Sequence, residues 1–120
     1  MNKSLRILNR QDIENGISER YNTFMIIEEH NKDEILSDIF KALSEPNRLK
    51  MIRILNESEK EISCGEMSKK LNLSLSTVSY HAKALREMGL THTRKEAQTK
   101  FLSINRSTFK RYLPGFLDSL

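Results

Sequence analysis

Between Cys64 and Leu90 the chain reads CGEMSKKLNLSLSTVSYHAKALREMGL, and this stretch constrains the fold more than any other. Met67 and Leu71 lie about one helical turn apart. Asn72 is a residue type that tolerates the left-handed conformation a tight turn needs. Leu73 offers that turn an apolar plug, and Ser74 and Ser76 are short hydroxyl residues suited to cap a following helix. Val78, Ala82 and Leu85 then recur on one face, continued by Met88 or Gly89, while Thr77, Ser79, Tyr80, Lys83 and Arg86 occupy the other. Gly89 stands where a helix C-terminus favours a residue without a Cβ. Two short helices around a tight turn make a helix-turn-helix, whose second helix can enter a DNA major groove. An ordinary helical pair satisfies the same spacing, so the surrounding sequence has to decide.

The segment after Gly89 favours the helix-turn-helix. The runs from Leu90 to Lys95 and from Lys100 to Ile104 are rich in β-branched and aromatic residues, and the polar segment Glu96-Ala97-Gln98-Thr99 separates them. That is a β-hairpin pattern, although its turn lacks Asn-Gly or Asp-Gly. Arg94, Lys95 and Lys100 crowd the tip, with Gln98 in the turn. A basic hairpin placed directly after a helix-turn-helix is a wing, and wings track the phosphate backbone or the minor groove. The same charges also keep a hairpin edge from aggregating.

Elsewhere the periodicity is helical. Residues 1–32 form an N-terminal extension in which Ile13, Ile17, Tyr21 and Phe24 trace a helical face that would add to a dimer interface. Phe24-Met25-Ile26-Ile27 reads equally as a short strand. From Asp33, residues Ile35, Leu36, Ile39, Phe40 and Leu43 give an amphipathic helix, broken by Ser44-Glu45-Pro46. Pro46 suits the first turn of a second helix, with Leu49, Ile52 and either Ile54 or Leu55 inward and Arg48, Lys50 and Arg53 outward. Glu57 to Glu61 reads as a charged connector. At the far end Ser107 can cap a helix presenting Phe109, Tyr112, Leu113, Phe116, Leu117 and Leu120, kinked or split at Pro114-Gly115. That stripe is too large to leave in water on a chain of this size, so a second copy is its expected cover, together with Ile35, Leu36, Ile39 and Phe40. The alternative is that Pro114-Gly115 turns the tail back over its own domain.

Charge is unevenly placed. Of 20 Lys and Arg and 16 Asp and Glu, residues 1–60 hold 10 and 11, and residues 61–120 hold 10 and 5, so the second half carries the whole excess. A basic half that coincides with the helix-turn-helix and hairpin is the footprint of a nucleic-acid binder. No apolar run is long enough to span a membrane or to act as a secretory signal, and one cysteine cannot close an internal disulfide, so a cytoplasmic protein is expected.

The run LSEPNRLKMIRIL, then STVSYHAKALREMGL, then the basic hairpin, resembles the ArsR/SmtB family of winged-helix regulators over Ile35 to about Asn105. The resemblance implies a fold that is mainly α with a small β-hairpin, a winged helix-turn-helix over 33–120 that includes a C-terminal dimerisation helix. It implies a homodimer built by its outermost helices, an inverted-repeat operator in double-stranded DNA, and repression relieved by an inducer. Carried over to this chain, the DNA-binding residues are Ser74, Ser76, Thr77, Ser79, Tyr80, His81, Lys83, Arg86, Arg94, Lys95, Gln98 and Lys100, with His81 either structural or DNA-facing. Ala82 departs from the family's usual leucine. Family members that sense metal use a Cys-x-Cys pair, whose positions here are Ser63 and Gly65, or ligands along the last helix, where this chain has only Asp118. No metal, no cofactor and no membrane partner is therefore expected, and the sequence names no inducer.

Two other readings stay open. Cys64 falls in a slot that the family fills with a buried valine, yet a cysteine at a helix N-terminus can gain thiolate character and serve as a redox switch. A winged helix can also serve as a protein–protein module, but such a surface calls for apolar anchors, and the outward face here is Ser, Thr, Tyr, Lys and Arg. Catalysis is not expected: no Gly-rich phosphate loop, HExxH motif or nucleophile–base pair is present.

Overall fold

A computed structural model of the chain describes residues 31–120. The N-terminal face of Ile13, Ile17, Tyr21 and Phe24 lies outside them. The elements are α1 (Lys32–Leu43), α2 (Pro46–Glu57), β1 (Ile62–Ser63), α3 (Cys64–Leu71), α4 (Leu75–Glu87), β2 (Thr91–Glu96), β3 (Thr99–Ile104), α5 (Arg106–Tyr112) and a closing 3₁₀ turn (Leu117–Ser119). The described residues are mostly helical, with one small three-stranded antiparallel sheet among them in the order β1-β3-β2.

Local chemistry sets each boundary. Asp33 and Glu34 occupy the first turn of α1, where negative charge meets the positive end of the helix dipole. Pro46 opens α2 without losing a hydrogen bond, and the Glu45 carboxylate accepts from the N–H groups of Asn47 and Arg48 at 2.7 and 3.2 Å. The Ser63 hydroxyl caps α3 by accepting from Glu66 N–H at 3.0 Å. Asn72 adopts φ 57°, ψ 47°, the left-handed step expected of the turn. Gly89, at φ 75°, ends α4 with a double bond pattern: its own N–H donates to Arg86 O at 2.8 Å, and Leu90 N–H donates to Leu85 O at 3.0 Å. A Cβ at Gly89 would meet nothing closer than Thr108 Oγ1 at 3.7 Å, so the backbone alone opposes a side chain there. Gly89→Ala is accordingly expected to destabilise the domain by about 1–2 kcal/mol in chemical denaturation.

The core joins all the elements. Ile35, Ile39, Ala42 and Leu43 of α1 pack with Met51, Ile52 and Leu55 of α2, Met67 of α3, Val78, Ala82 and Leu85 of α4, and Leu102 of β3. Met51 joins this buried side, and Leu49 and Ile54 are half-buried beside it. Ala82 is buried, so the smaller residue is closed over by its neighbours. The hairpin turn is tighter than the four-residue segment expected, because β2 and β3 pair as far as Glu96↔Thr99 and leave only Ala97-Gln98 between them. Ala97 takes φ 56°, as the first central position of a type II′ turn requires. The sheet also has a third strand, which the sequence pattern does not announce. Ile62-Ser63, just past the charged connector, pairs with Leu102 and Phe101 and ties the wing to α3. Two residues are too few for any period-two pattern to show.

The C-terminal expectation needs correcting. The tail is split at Pro114-Gly115 as expected, but its cap and its cover differ from expectation. Asn105 rather than Ser107 occupies the N-cap position of α5, and the helix stops at Tyr112, ahead of Pro114. The tail then turns back over its own domain. Phe116 stacks on Phe109 with centroids 5.9 Å apart, and Asn56 Nδ2–H of α2 donates to Leu117 O at 3.0 Å. Phe109 and Tyr112 are buried in the chain's own core, as are Ile35 and Ile39, so none of these four offers its surface to a second copy. Leu113, Phe116, Leu117 and Leu120 are half-buried against the same core. Of the expected interface, Leu36 and Phe40 keep an outward face, and Phe40 is 52% exposed.

Candidate DNA-binding interface

Helices α3 and α4 with their left-handed turn present α4 outward, and the β2–β3 wing stands beside it. Val78, His81, Ala82 and Leu85 face the core, which leaves Ser76, Tyr80 and Lys83 on the opposite side. Ser74 caps α4: its Oγ accepts from Thr77 N–H at 3.1 Å, donates to Thr77 Oγ1 at 2.9 Å and lies 3.2 Å from Ser76 Oγ. Ser74 thus builds the helix end first, while Ser76 and Thr77 keep hydroxyl capacity for a ligand. Tyr80 is 64% exposed. Lys83 is exposed, 4.0 Å from Glu87, and Ser79 is half-buried. Arg86 reaches the wing, with Nη1 3.5 Å from Thr93 Oγ1.

His81 does not face outward. It is buried, and its Nδ1 accepts from Arg48 Nε–H at 3.1 Å, which leaves the ring proton on Nε2, 3.9 Å from Glu45 Oε1. As a base-contacting residue His81 is corrected. It joins α4 to the start of α2 instead. Arg48, expected to point outward, is half-buried and also lies over the Tyr80 ring, 5.7 Å from its centroid. Glu45, Arg48, His81 and Tyr80 therefore form one chain of contacts from the α2 cap to the exposed face. Sequence spacing could not reveal it, because the partners are separated by more than 30 positions and Arg48 fits a solvated helix face equally well.

The wing divides its cations. Arg94 is tied down: Nη2 lies 2.7 Å from Glu61 Oε1, Nε bonds both Glu61 oxygens, Nη1 lies 3.1 Å from Glu96, and the guanidinium sits 4.7 Å from the Phe101 centroid. The hydrogen bond from Arg94 holds the Glu61 carboxyl below its ordinary range, and the two carboxylates push the guanidinium further toward its charged form. Without DNA, Arg94 is therefore a clasp between Glu61, just ahead of β1, and the wing, rather than the free cation expected. Lys95, Gln98 and Lys100 are exposed around the tip.

Cys64 is buried at the start of α3. Burial raises its thiol pKa, against a smaller lowering by the charges of Lys100 and Arg86. That is the opposite of the activated thiolate a redox switch needs. Among the described residues no group of three or more His, Cys, Asp and Glu is placed to hold a metal ion. No helix among them is long and apolar enough to cross a membrane.

Residues 45–93, from the α2 cap through the helix-turn-helix into the wing, match the bacterial regulatory protein arsR family. The HTH-type transcriptional regulator YceK of Bacillus subtilis (strain 168) is 51% identical over 100 residues, 83% of this chain and 99% of YceK. The chain belongs to the ArsR family. It is a transcriptional regulator with a DNA-binding winged helix-turn-helix, and not an enzyme. The transcriptional activator HlyU of Vibrio cholerae is 40% identical over 60% of this chain and 65% of HlyU. A solved structure of HlyU from Vibrio cholerae N16961 superposes with a TM-score of 0.63 at 33% identity, over 77% of this chain and 92% of that one. The homodimeric winged helix-turn-helix domain of Mb0332 from Mycobacterium bovis shares the fold, with a TM-score of 0.61 at 20% identity over 85% and 84% of the two chains.

Proposed function

We propose that this ArsR-family regulator is a cytoplasmic homodimeric repressor that binds an inverted-repeat operator sequence-specifically. Its polar α4 face carries the reading. Ser76, Thr77, Tyr80 and Lys83 stand on a capped helix, clear of the core, and polar side chains there match base edges in a major groove. Ser79 and Arg86 flank that face toward the wing, and Lys95, Gln98 and Lys100 extend it toward the phosphates. The outward side of α1 supports the dimer: Leu36 and Phe40 line a shallow apolar hollow with Asp33, Ser37, Lys41 and Ser44. A two-fold pair sets its reading helices about 34–36 Å apart or a multiple of that, hence an inverted repeat. Mb0332, of the same fold, is homodimeric. The activator name of HlyU supports a second reading, in which the same binding raises transcription. Selection of bound DNA from a random pool with purified, metal-free protein tests the proposal. An enriched inverted repeat supports it, and a pool with no enriched sequence overturns it. Transcription from a promoter carrying that repeat, with and without the protein, decides between the two signs.

The wing yields a separate expectation. Lys95→Gln should weaken binding to all sequences alike and lower the magnitude of the salt slope by about 0.9, whereas Arg94→Gln should change the slope less, since Glu61 and Glu96 already hold that charge. Salt titrations of both variants against the same duplex check this. Equal slope changes would show that Arg94 releases its carboxylates on binding.

A further inference from the structure

Leu75 stands out among the side chains of α4. It is the first residue of the helix and is 54% exposed. The fold does not need it there, because the apolar plug of the turn is Leu73, which is half-buried against the core, and the helix's own core contacts begin at Val78. A single exposed leucine is ordinary on a protein surface, and its place is what gives this one meaning. At about 100° per residue, Leu75 shares a row with Ser79, the buried Ala82 and Arg86, so it sits at the border between the core face and the outward face, and Arg86 is the residue that reaches Thr93 of the wing. Its exposure shows that the core does not close over it, so Leu75 lies at the wing-side edge of the outward face, in the first turn, where side chains of a reading helix meet base edges. The residues beside it at this helix end are polar: Ser74 and Ser76 next to it in sequence, and Ser79 one turn on.

An aliphatic side chain makes no hydrogen bond to a base edge. Among the groups displayed in the major groove, the one it can match is the C5-methyl of thymine. We infer that Leu75 is a specificity-determining residue that selects a thymine in each half-site by packing on its methyl group. The inference rests on the proposal that α4 reads bases, and it adds a contact of a different chemical kind from the polar ones. Cytosine at that position offers no methyl and would leave Leu75 against a polar edge. The preference is for one base at one place, set by shape and apolar contact alone.

Deoxyuridine removes the methyl and keeps every hydrogen-bonding group of thymine, so it isolates the contact. In the operator recovered by random-pool selection, each thymine is replaced in turn by deoxyuridine, and affinity is measured for the wild type, Leu75→Ala and Leu75→Met. One position per half-site should weaken wild-type binding about fourfold, and about fifteenfold when both half-sites are changed. Leu75→Ala should lose that sensitivity while keeping the wild-type melting temperature, and Leu75→Met should retain it. An enriched operator at which no methyl removal separates wild type from Leu75→Ala overturns this inference alone. A pool without any enriched sequence overturns the base-reading proposal and this inference with it.

Discussion

Phe40→Lys is expected to turn the protein into a monomer that binds its operator about 10²–10⁴-fold more weakly, because each half-site then has to be held without its tethered neighbour. Phe40 is the large apolar side chain that the chain leaves half in water on α1, and Leu36 lies one turn before it. An ammonium buried in a contact between two such faces has to give up its water, and among the described residues Asp33 is the one carboxylate that lines the hollow to offset that cost. The lysine suits the test for two reasons. Positive charge in the last turns of α1 agrees with the helix dipole and with Lys41 already present, and an exposed site should move the fold's stability by no more than about 0.5 kcal/mol. An added cation also favours DNA, so a loss of affinity cannot come from electrostatics. Sedimentation velocity beside operator titration provides the check. A variant that sediments as a dimer with unchanged affinity places the interface elsewhere.

That Phe40 is, among the described residues, the one member of the expected apolar stripes left exposed was not legible in the sequence, and the reason is physical. Periodicity records which residues are apolar and on which face. It does not record whether the cover comes from the same chain. Phe109, Tyr112 and Phe116 make the same stripe whether the tail reaches a partner or turns at Pro114-Gly115, and only the stacking of Phe116 on Phe109 and the Asn56 bond to Leu117 decide the matter. Features set by neighbours in sequence were legible: the Asn72 turn, the Ser74 cap, the Gly89 stop and the Pro46 start each come from one residue's backbone preference or one short hydrogen bond. Features set by distant partners were not. His81 and Arg94 are polar and lie in the right segments for DNA, yet Arg48 claims the first and Glu61 the second, each 33 positions away. Leu75 is hidden for the opposite reason, since an apolar residue beside a helix-turn-helix reads as core until its exposure is seen.

Phe109→Ala should cost the domain about 3–5 kcal/mol, a large share of the 5–15 kcal/mol that a domain of this size commands. Phe109 is among the largest fully enclosed side chains, reaching from α5 into the core and bearing Phe116 on its ring face. Removing the ring leaves a cavity under the tail and takes away the surface on which Phe116 rests, so lost burial and lost aromatic contact add. Urea denaturation at two protein concentrations separates this from an interface effect. If Phe109 serves its own domain, the midpoint falls by the same amount at both concentrations. If it serves a dimer, the loss depends on concentration, because association adds to stability by mass action. Charges placed farther along the tail, as in Phe116→Glu with Leu117→Glu, then act in the same sense as Phe109→Ala. They lift the tail from its own core and lower the stability of each chain, whereas Phe40→Lys leaves each chain folded and parts it from its copy.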